Sequence, residues 1–361
     1  MNASRSDLSQ SFTDDQRFAA DDLVEHGVKI LGAHGVPEND ARLVAESLVA
    51  ADMWGHPSHG MLRLPWYAAR LQNGAMRAIT ETETVSSFAA VSVLDGRDGI
   101  GQVVTHQAVT AAASAANTYG VGVVAVRNSN HFGTAAFWTR ILAERGCVGV
   151  LTTNGSPAMA PWGGIDKLVG ANPWSIAVPG GRHGTIVLDV ANTGVARGKI
   201  YAARERGQRL PDGWAIDASG LPTTDPQAAI DGLILPMAGH KGYAISFMMD
   251  VLSGVLTGSS FGSDVVGPYV PNQRSGCGHL VIAIEVAAIM PPEQFTERID
   301  HLITTLKKSR TAPGREILVP GELENRSVIA AGGAITLPAR TVEALSALAA
   351  QRGVDALSPA L

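Results

Sequence analysis

Charge is scarce in this chain, and so are cysteine and the aromatic residues. Of its 361 residues 17% are charged, 5% are aromatic and two are cysteines, Cys147 and Cys277. Two isolated cysteines exclude a disulfide framework and a thiolate-rich metal cluster, and they fit a reducing, cytoplasmic setting. Lys and Arg number 28 against 33 Asp and Glu, a formal net charge of −5. That balance lacks the basic excess with which proteins grip nucleic acid. No uninterrupted apolar run reaches about 18 residues, so no membrane-spanning helix is expected. The opening, MNASRSDLSQSFTDDQRF, is polar without a signal-peptide apolar stretch, and residues 1–12 read as a flexible leader.

Glycine (40 residues) and histidine (10 residues) are better represented, and 45% of the chain is hydrophobic. This length and apolar content support two domains or one elaborated domain. From Thr13 to about Leu71 apolar residues recur at helical spacing, with Pro37 and Asn39 as a start signal and Asn73-Gly74 as a stop. Alternation near residues 80–100 reads as a strand and turn, and GQVVTHQAVTAAASAANTYG as an Ala-rich helix stopped by Gly120. Strand-like runs then dominate, joined by short helices. The polar span from Tyr201 to Gly232 reads as an excursion over the surface. KGYAISFMMDVLSGVLTGSSFG reads as an apolar helix for the core or a subunit interface, and amphipathic helices return near the end. The expected class is α/β of the α+β type. A helical domain comes from residues 13–85 with 286–361, and a sheet-rich domain from 86–285.

The stretch GHPSHGMLR places His56, His59 and Arg63 within nine positions. On a helix, positions 59 and 63 share one face about 5–6 Å apart at Cβ. Such a pair can hold an anion and exchange a proton with it; the plainer alternative is a solvated Arg and a capping His. NSNHFGTAAFW sets His131 and Gly133 at a strand-to-helix junction, where unpaired N–H groups suit a phosphate or carboxylate. GHKGYA puts His240 and Lys241 at the start of the apolar helix, where a cation gains nothing from the helix dipole and an anionic partner would explain it. Asp189 closes a strand in LDVANTGVARGK and could accept from a ribose or cap locally. GVGVVA imitates a dinucleotide fingerprint, but its glycines precede a strand, whereas the fingerprint glycines follow one and open a helix. His56, His59 and His131 could instead hold zinc, although no carboxylate or thiol accompanies them at ligand spacing and Arg63 adds positive charge.

Taken in order, GHPSHGMLRLPWY, DGIGQ, NSNHFGTAAFW, APWGG, LVGANPWSIAVP, LDVANTGVARGKI, GHKGYAISFMMDVLSGVLTG and PGE make the chain resemble the type 2 malate/L-lactate dehydrogenases. The likeness runs from about residue 15 to residue 345. It implies a sheet-rich, non-Rossmann NAD(P)-binding domain, a helical domain built from both chain ends, and a homodimer. It implies reduction of 2-oxo acids or oxidation of 2-hydroxy acids, the family extending to sulfolactate, ureidoglycolate and diketogulonate enzymes and to cyclic imino acid reductases. By resemblance His59 matches the proton donor, Ser58 the residue relaying charge to it, and Arg63 the clamp on the substrate carboxylate. His131 matches a second histidine beside the nicotinamide, assigned as acid/base in some members. His131, Phe132, Gly133, Thr134 and Ala135, then Asp189, Val190 and Ala191, then His240 and Lys241, and the turn of Pro320, Gly321 and Glu322 match cofactor-contacting segments. One departure stands out: Ala171 in GANP replaces a common threonine and removes a hydroxyl from that edge of the pocket.

The expected activity is therefore an NADH- or NADPH-dependent interconversion of a small 2-oxo acid and 2-hydroxy acid. A cyclic C=N reductase of the same family is the nearest alternative; a His-based metal hydrolase or a silent binding protein are alternatives from other classes. The choice between NAD and NADP stays open, with Arg182, His183, Arg197 and Arg204 all candidates for a 2′-phosphate. The expected partner is a small carboxylate substrate, with no nucleic acid, membrane or metal.

Overall fold

A computed structural model describes residues 15–359, the side chains of Ala202 and Glu205 aside. The leader expected at residues 1–12 lies outside the described residues. In chain order come β1 (Gln16–Ala19), α1 (Ala20–Gly32), α2 (Glu38–Met53) and α3 (Leu64–Gln72). There follow β2 (Glu83–Phe88), β3 (Val91–Asp95), α4 (Gly101–Tyr119), β4 (Val121–Ser129), α5 (Ala135–Glu144) and β5 (Cys147–Thr153). Next are β6 (Pro157–Met159), β7 (Val169–Gly170), β8 (Trp174–Val178), β9 (Ile186–Val190), α6 (Arg197–Glu205), β10 (Ala215–Ile216) and β11 (Pro222–Thr223). After α7 (Pro226–Asp231), β12 (Leu233–Ile234) and α8 (His240–Asp250) come β13 (Cys277–Glu285), α9 (Pro292–Lys307), α10 (Glu322–Ala331), β14 (Ala334–Leu337) and α11 (Ala339–Gln351). These elements fall into two compact units: residues up to Ala69 with those from Glu324 onward, and Arg70–Leu323.

Helices dominate the first unit. Leu23, Ile30 and Leu31 of α1 and Val44, Ala45 and Leu48 of α2 are buried at helical spacing. Gly27 lets α2 close in, since a Cβ there would stand 2.9 Å from the Ala45 Cβ. The helix expected from Thr13 begins only at Ala20. Gln16–Ala19 are instead a strand, paired antiparallel with Ala334–Leu337. The partner lies more than 300 positions away, so local spacing carried no trace of the pairing.

A mixed seven-stranded sheet, ordered β2-β3-β4-β13-β5-β8-β9, forms the second unit's frame. Within it β3 and β4 are parallel and every other neighbouring pair is antiparallel. This is no doubly wound Rossmann sheet, whose strands run mostly parallel. Gly120 sits at φ 80° and ends α4, its N–H donating to the Ala116 carbonyl at 2.7 Å. A Cβ on Gly122 would overlap the Ala112 carbonyl, so α4 packs on β4 backbone to backbone. GVGVVA is thus helix stop and strand contact, with no phosphate loop in it.

The Tyr201–Gly232 span is more than a surface excursion. β11-β10-β12 form a three-stranded sheet, and Val195, Ile200, Leu210, Ala215, Ala229 and Ile234 make a separate small core with α6 and α7. Its apolar residues are too sparse to show a period, which is why composition alone read as polar. α8 continues into a π-helical turn, Val251–Val255. Polar bonds seat that segment: Ser246 Oγ donates to the Gly170 carbonyl at 2.7 Å, and the Ser253 and Thr152 hydroxyls meet at 2.8 Å. Its outer side chains Phe247, Met248, Val255 and Leu256 are about half or more exposed in the single chain. Among the described residues no helix is long and apolar enough to cross a membrane.

Because Gly122 faces backbone, Gly122→Ala must force α4 off the sheet. The expected loss is about 1–3 kcal/mol of stability, the range for overpacking a tight core, read from urea unfolding. An unchanged urea midpoint would show that the α4–β4 contact yields freely.

Candidate functional site

In the first unit the chain leaves α2 at Met53 and makes two consecutive 3₁₀ turns, Pro57–His59 and Met61–Arg63, before α3. Gly60 separates the turns in an extended conformation, φ −88° and ψ −152°. The α-helical face expected to carry His59 and Arg63 is therefore absent, and the two are joined differently. Ser58 is the hub: its Oγ lies 2.9 Å from His59 Nδ1, and its carbonyl accepts from Arg63 Nε at 2.6 Å. The Arg63 guanidinium also stacks on Trp66, 4.0 Å from the ring centroid. The His59 and Arg63 side chains are both half-buried, so Arg63 is not the solvated group of the plainer alternative.

Burial, then the positive field of Arg63 and the neighbouring His56, push the His59 imidazole down to about 3. His59 is thus neutral at physiological pH. Its neighbour His56 turns elsewhere, with Nε2 3.3 Å from Glu324 Oε1. Among the described residues no group of three His, Cys, Asp or Glu is placed to hold a metal ion. The zinc alternative therefore gains nothing from the geometry. Two groups here were missed from the sequence: Glu324, distant in the chain, and Asp52. The half-buried Asp52 carboxylate accepts the Met61 N–H at 2.8 Å, and burial pushes it up to about 7 against the pull of that hydrogen bond.

The second unit presents the other predicted segments. His131 follows β4, and its Nδ1 accepts from the Gly133 N–H at 3.3 Å. Asn130, buried just before it, donates to the Gly99 carbonyl at 2.8 Å and accepts from Arg70 Nη2 at 3.0 Å. A Cβ on Gly101 would overlap the Asn130 and His131 carbonyls, which explains the DGIGQ glycine: α4 begins directly against this loop. Phe132 is buried edge-on between Trp138 and His279, at ring-centroid distances of 6.4 and 4.7 Å, and its carbonyl accepts from Trp138 Nε1 at 3.2 Å. Trp138 is accordingly a core aromatic. His279, also missed from the sequence, is fully buried and pushed by that burial down to about 3.

At the head of α5 the expectation of open N–H groups needs correcting. Asp189 Oδ2 accepts the Ala136 N–H at 2.8 Å, so a protein carboxylate already serves the helix N-terminus. Beside it, buried Gly133 at φ 84° has open space where a side chain would project, and the buried Thr134 hydroxyl lacks a hydrogen-bond partner among the described residues. Asn192, fully buried, donates to the carbonyls of Ala171 and Asn172 at 3.2 and 2.7 Å and accepts from Trp174 Nε1 at 3.1 Å, fixing the GANP loop.

Gly321, at φ 85°, lies against the Val187 backbone, and the Pro320 carbonyl accepts the Val187 N–H at 3.3 Å. Glu322 is engaged by Lys307 Nζ at 2.7 Å and by the Val319 N–H at 3.1 Å. His240 opens α8 with its ring 5.8 Å from Trp162, while Lys241 is exposed and without an ion pair among the described residues. Of the four candidate cations, Arg182 and His183 face Asp300 at 3.7 and 3.8 Å and Arg204 lies over Tyr201. Arg197 alone of these has no ion pair or hydrogen bond from its side chain to another described residue.

The model of the malate/L-lactate dehydrogenase family matches residues 18–346. L-sulfolactate dehydrogenase of Methanocaldococcus jannaschii is 40% identical over 300 residues, covering 83% of this chain and 87% of that protein. A solved structure of sulfolactate dehydrogenase from the same organism superposes with a TM-score of 0.90 at 36% identity, covering 94% of this chain and 98% of the other. The (2R)-3-sulfolactate dehydrogenase (NADP(+)) of Chromohalobacter salexigens is 34% identical over 90% of this chain and 96% of its own. The ureidoglycolate dehydrogenase (NAD(+)) of Escherichia coli K12 is 33% identical over 80% and 82%. The chain belongs to the malate/L-lactate dehydrogenase family: it is an oxidoreductase acting on a CH–OH group with NAD or NADP.

The displaced imidazoles set the pH response of stability. An unfolded histidine takes a proton near its ordinary 6.5, whereas His59 and His279 resist until about 3. As pH falls from 6.5 toward 3 the unfolded chain binds the extra protons, and stability declines. Asp52 opposes this, since its folded value of about 7 against an ordinary 3.8 favours the folded chain as pH falls between the two. Two imidazoles outweigh one carboxyl, so the urea midpoint is expected lower at about pH 5 than at about pH 7.5. A higher midpoint at the acidic value would contradict that count.

Proposed function

We propose that the chain interconverts a small 2-hydroxy acid and its 2-oxo acid, with His59 carrying the proton and Arg63 holding the substrate carboxylate. The observation that carries this reading is the Ser58-centred triangle, which ties a neutral imidazole to a guanidinium across two consecutive 3₁₀ turns. Arg63 offers a planar fork of donors matched to a carboxylate, and its stacking on Trp66 fixes the plane of that fork. A serine hydroxyl both donates and accepts, so Ser58 suits His59 Nδ1 whether that nitrogen is bare or protonated. The ring then exchanges its proton with the substrate oxygen through Nε2 without moving.

When bound, the nicotinamide supplies or accepts the hydride at the substrate's second carbon. The donors and spaces of the second unit suit such a nucleotide: the room over Gly133, and the Thr134 hydroxyl and Lys241 cation, which have no hydrogen-bond partner and no ion pair, respectively, among the described residues. We assign the cofactor to His131 through Ala135, Asp189 through Ala191, His240 with Lys241, and the Gly321–Glu322 turn. Asp189 would then line the site as well as orient α5, and His131, its Nδ1 accepting from the Gly133 N–H of its own loop, would hold the nicotinamide end. Two free, buried cysteines support a cytoplasmic setting, and the outer apolar side of α8 supports a homodimer.

The test follows NAD(P)H absorbance with malate, lactate, sulfolactate, ureidoglycolate and their 2-oxo counterparts, and with a cyclic imino acid. His59→Ala is expected to lower kcat by about 10²–10⁴-fold, the usual worth of a positioned acid–base group. Arg63→Ala is expected to raise KM about 30-fold or more, as a lost charged pair of some 2 kcal/mol implies. A substrate carboxylate on Arg63 offsets part of the field that lowers His59, so reduction should quicken and oxidation slow as pH falls. Turnover that survives His59→Ala, or that favours the imino acid alone, would send the assignment elsewhere.

A further inference from the structure

The turn bearing Ser58, His59 and Arg63 has no helix of its own to stiffen it. Each 3₁₀ segment is three residues long, and they meet at Gly60, where the backbone is extended. Across this joint lies the Asp52 side chain, from the last turn of α2. One of its oxygens accepts the Met61 N–H at 2.8 Å. The carboxylate also fills the place where a side chain on residue 60 would stand, since a Cβ there would overlap it. The φ and ψ of Gly60 are open to any residue, so it is space and not strain that reserves the position for glycine. On either side, the His59 N–H donates to the His56 carbonyl and the Arg63 N–H to the Gly60 carbonyl, both at 2.9 Å. Gly60 and Met61 are therefore the link through which any shift of the joint reaches both functional side chains.

We propose that Asp52 is a positioning residue for the reaction: its carboxyl pins the Gly60–Met61 joint and so fixes the spacing between the His59 imidazole and the Arg63 guanidinium. This rests on the roles proposed above for His59 and Arg63. The tether is a hydrogen-bond acceptor of a given shape, and an amide in its place supplies the same acceptor oxygen. The Gly60 vacancy and the Asp52 side chain form one fitted pair, so changes at the two positions are not independent.

The test uses the full chain carrying D52N, D52A, G60A and the D52A/G60A pair, with kcat and KM on the best 2-hydroxy acid. Amide hydrogen exchange of the peptide 57–66 is read alongside. D52A is expected to lose about 10- to 100-fold in kcat/KM, the scale of a small misplacement at a reacting centre, with KM raised through Arg63 and kcat lowered through His59. D52N should stay within about threefold on both and keep the exchange of peptide 57–66 slow. G60A should be as harmful as D52A, yet add less than about twofold once Asp52 has been removed. D52N as impaired as D52A overturns the proposal, because charge and not the acceptor would then matter. D52A or G60A with normal kcat and KM overturns it too, even if exchange quickens, for the contact would then be structural only. If D52A does not fold, G60A and D52N decide by the same criteria. A wild-type chain without turnover on any of the acids would instead sink the reaction reading and the positioning role with it. Exchange would then report only whether the tether exists.

Discussion

A half-buried imidazole beside a guanidinium is an unstable arrangement unless the imidazole stays neutral, and that constraint shapes the segment between α2 and α3. Burial and the Arg63 charge act on His59 in the same direction, so the ring stays neutral. Ser58 is the economical answer to holding it there, with its hydroxyl on the ring and its carbonyl on the guanidinium. A substrate carboxylate would cancel part of the guanidinium's field, and the same ring would then take a proton more readily. In the proposed reaction the bound anion and the transferred proton would in this way be coupled through one charge.

The second unit depends on close approach of backbone. Gly122 brings α4 against β4, Gly101 seats the start of α4 against the His131 loop, and Gly321 sets the Pro320–Glu322 turn against β9. β9 carries Asp189, whose carboxylate holds the first turn of α5. Buried amides and aromatics then fix the loops between: Asn130 beside Arg70, Asn192 on the Ala171 loop, Trp138 on the Phe132 carbonyl. Glycine supplies nearness and the polar side chains supply register. The loops that the family resemblance marks for the cofactor are thereby tied to their neighbours without a Rossmann sheet.

Much of this was legible in the chain. The helical ends, the sheet-rich middle, the stop at Gly120 and the strand-to-helix junction at His131 follow from local periodicity and turn chemistry. So does the rejection of GVGVVA, since its glycines stand before a strand. What local spacing could not carry is pairing across distance. β1 finds its partner at Ala334–Leu337, His56 finds Glu324, and the α5 terminus finds Asp189. His59 and Arg63 were expected on one α-helical face, but two 3₁₀ turns broken at Gly60 show the same residue spacing. Asp52 went unseen for a related reason: an acidic residue near a helix end reads as solvated until the fold closes over it. The small lobe around Ile200 and Ala215 was hidden by its polar composition.

If an anion on Arg63 governs the proton on His59, anion binding must be accompanied by proton uptake. Calorimetry of oxamate, a mimic of a 2-oxo acid that is not reduced, would be run on the cofactor-loaded protein in buffers of differing ionisation heat. The expected result is uptake that grows as pH falls below neutrality and disappears in His59→Ala. Binding without proton uptake, or uptake unchanged in that variant, would contradict it.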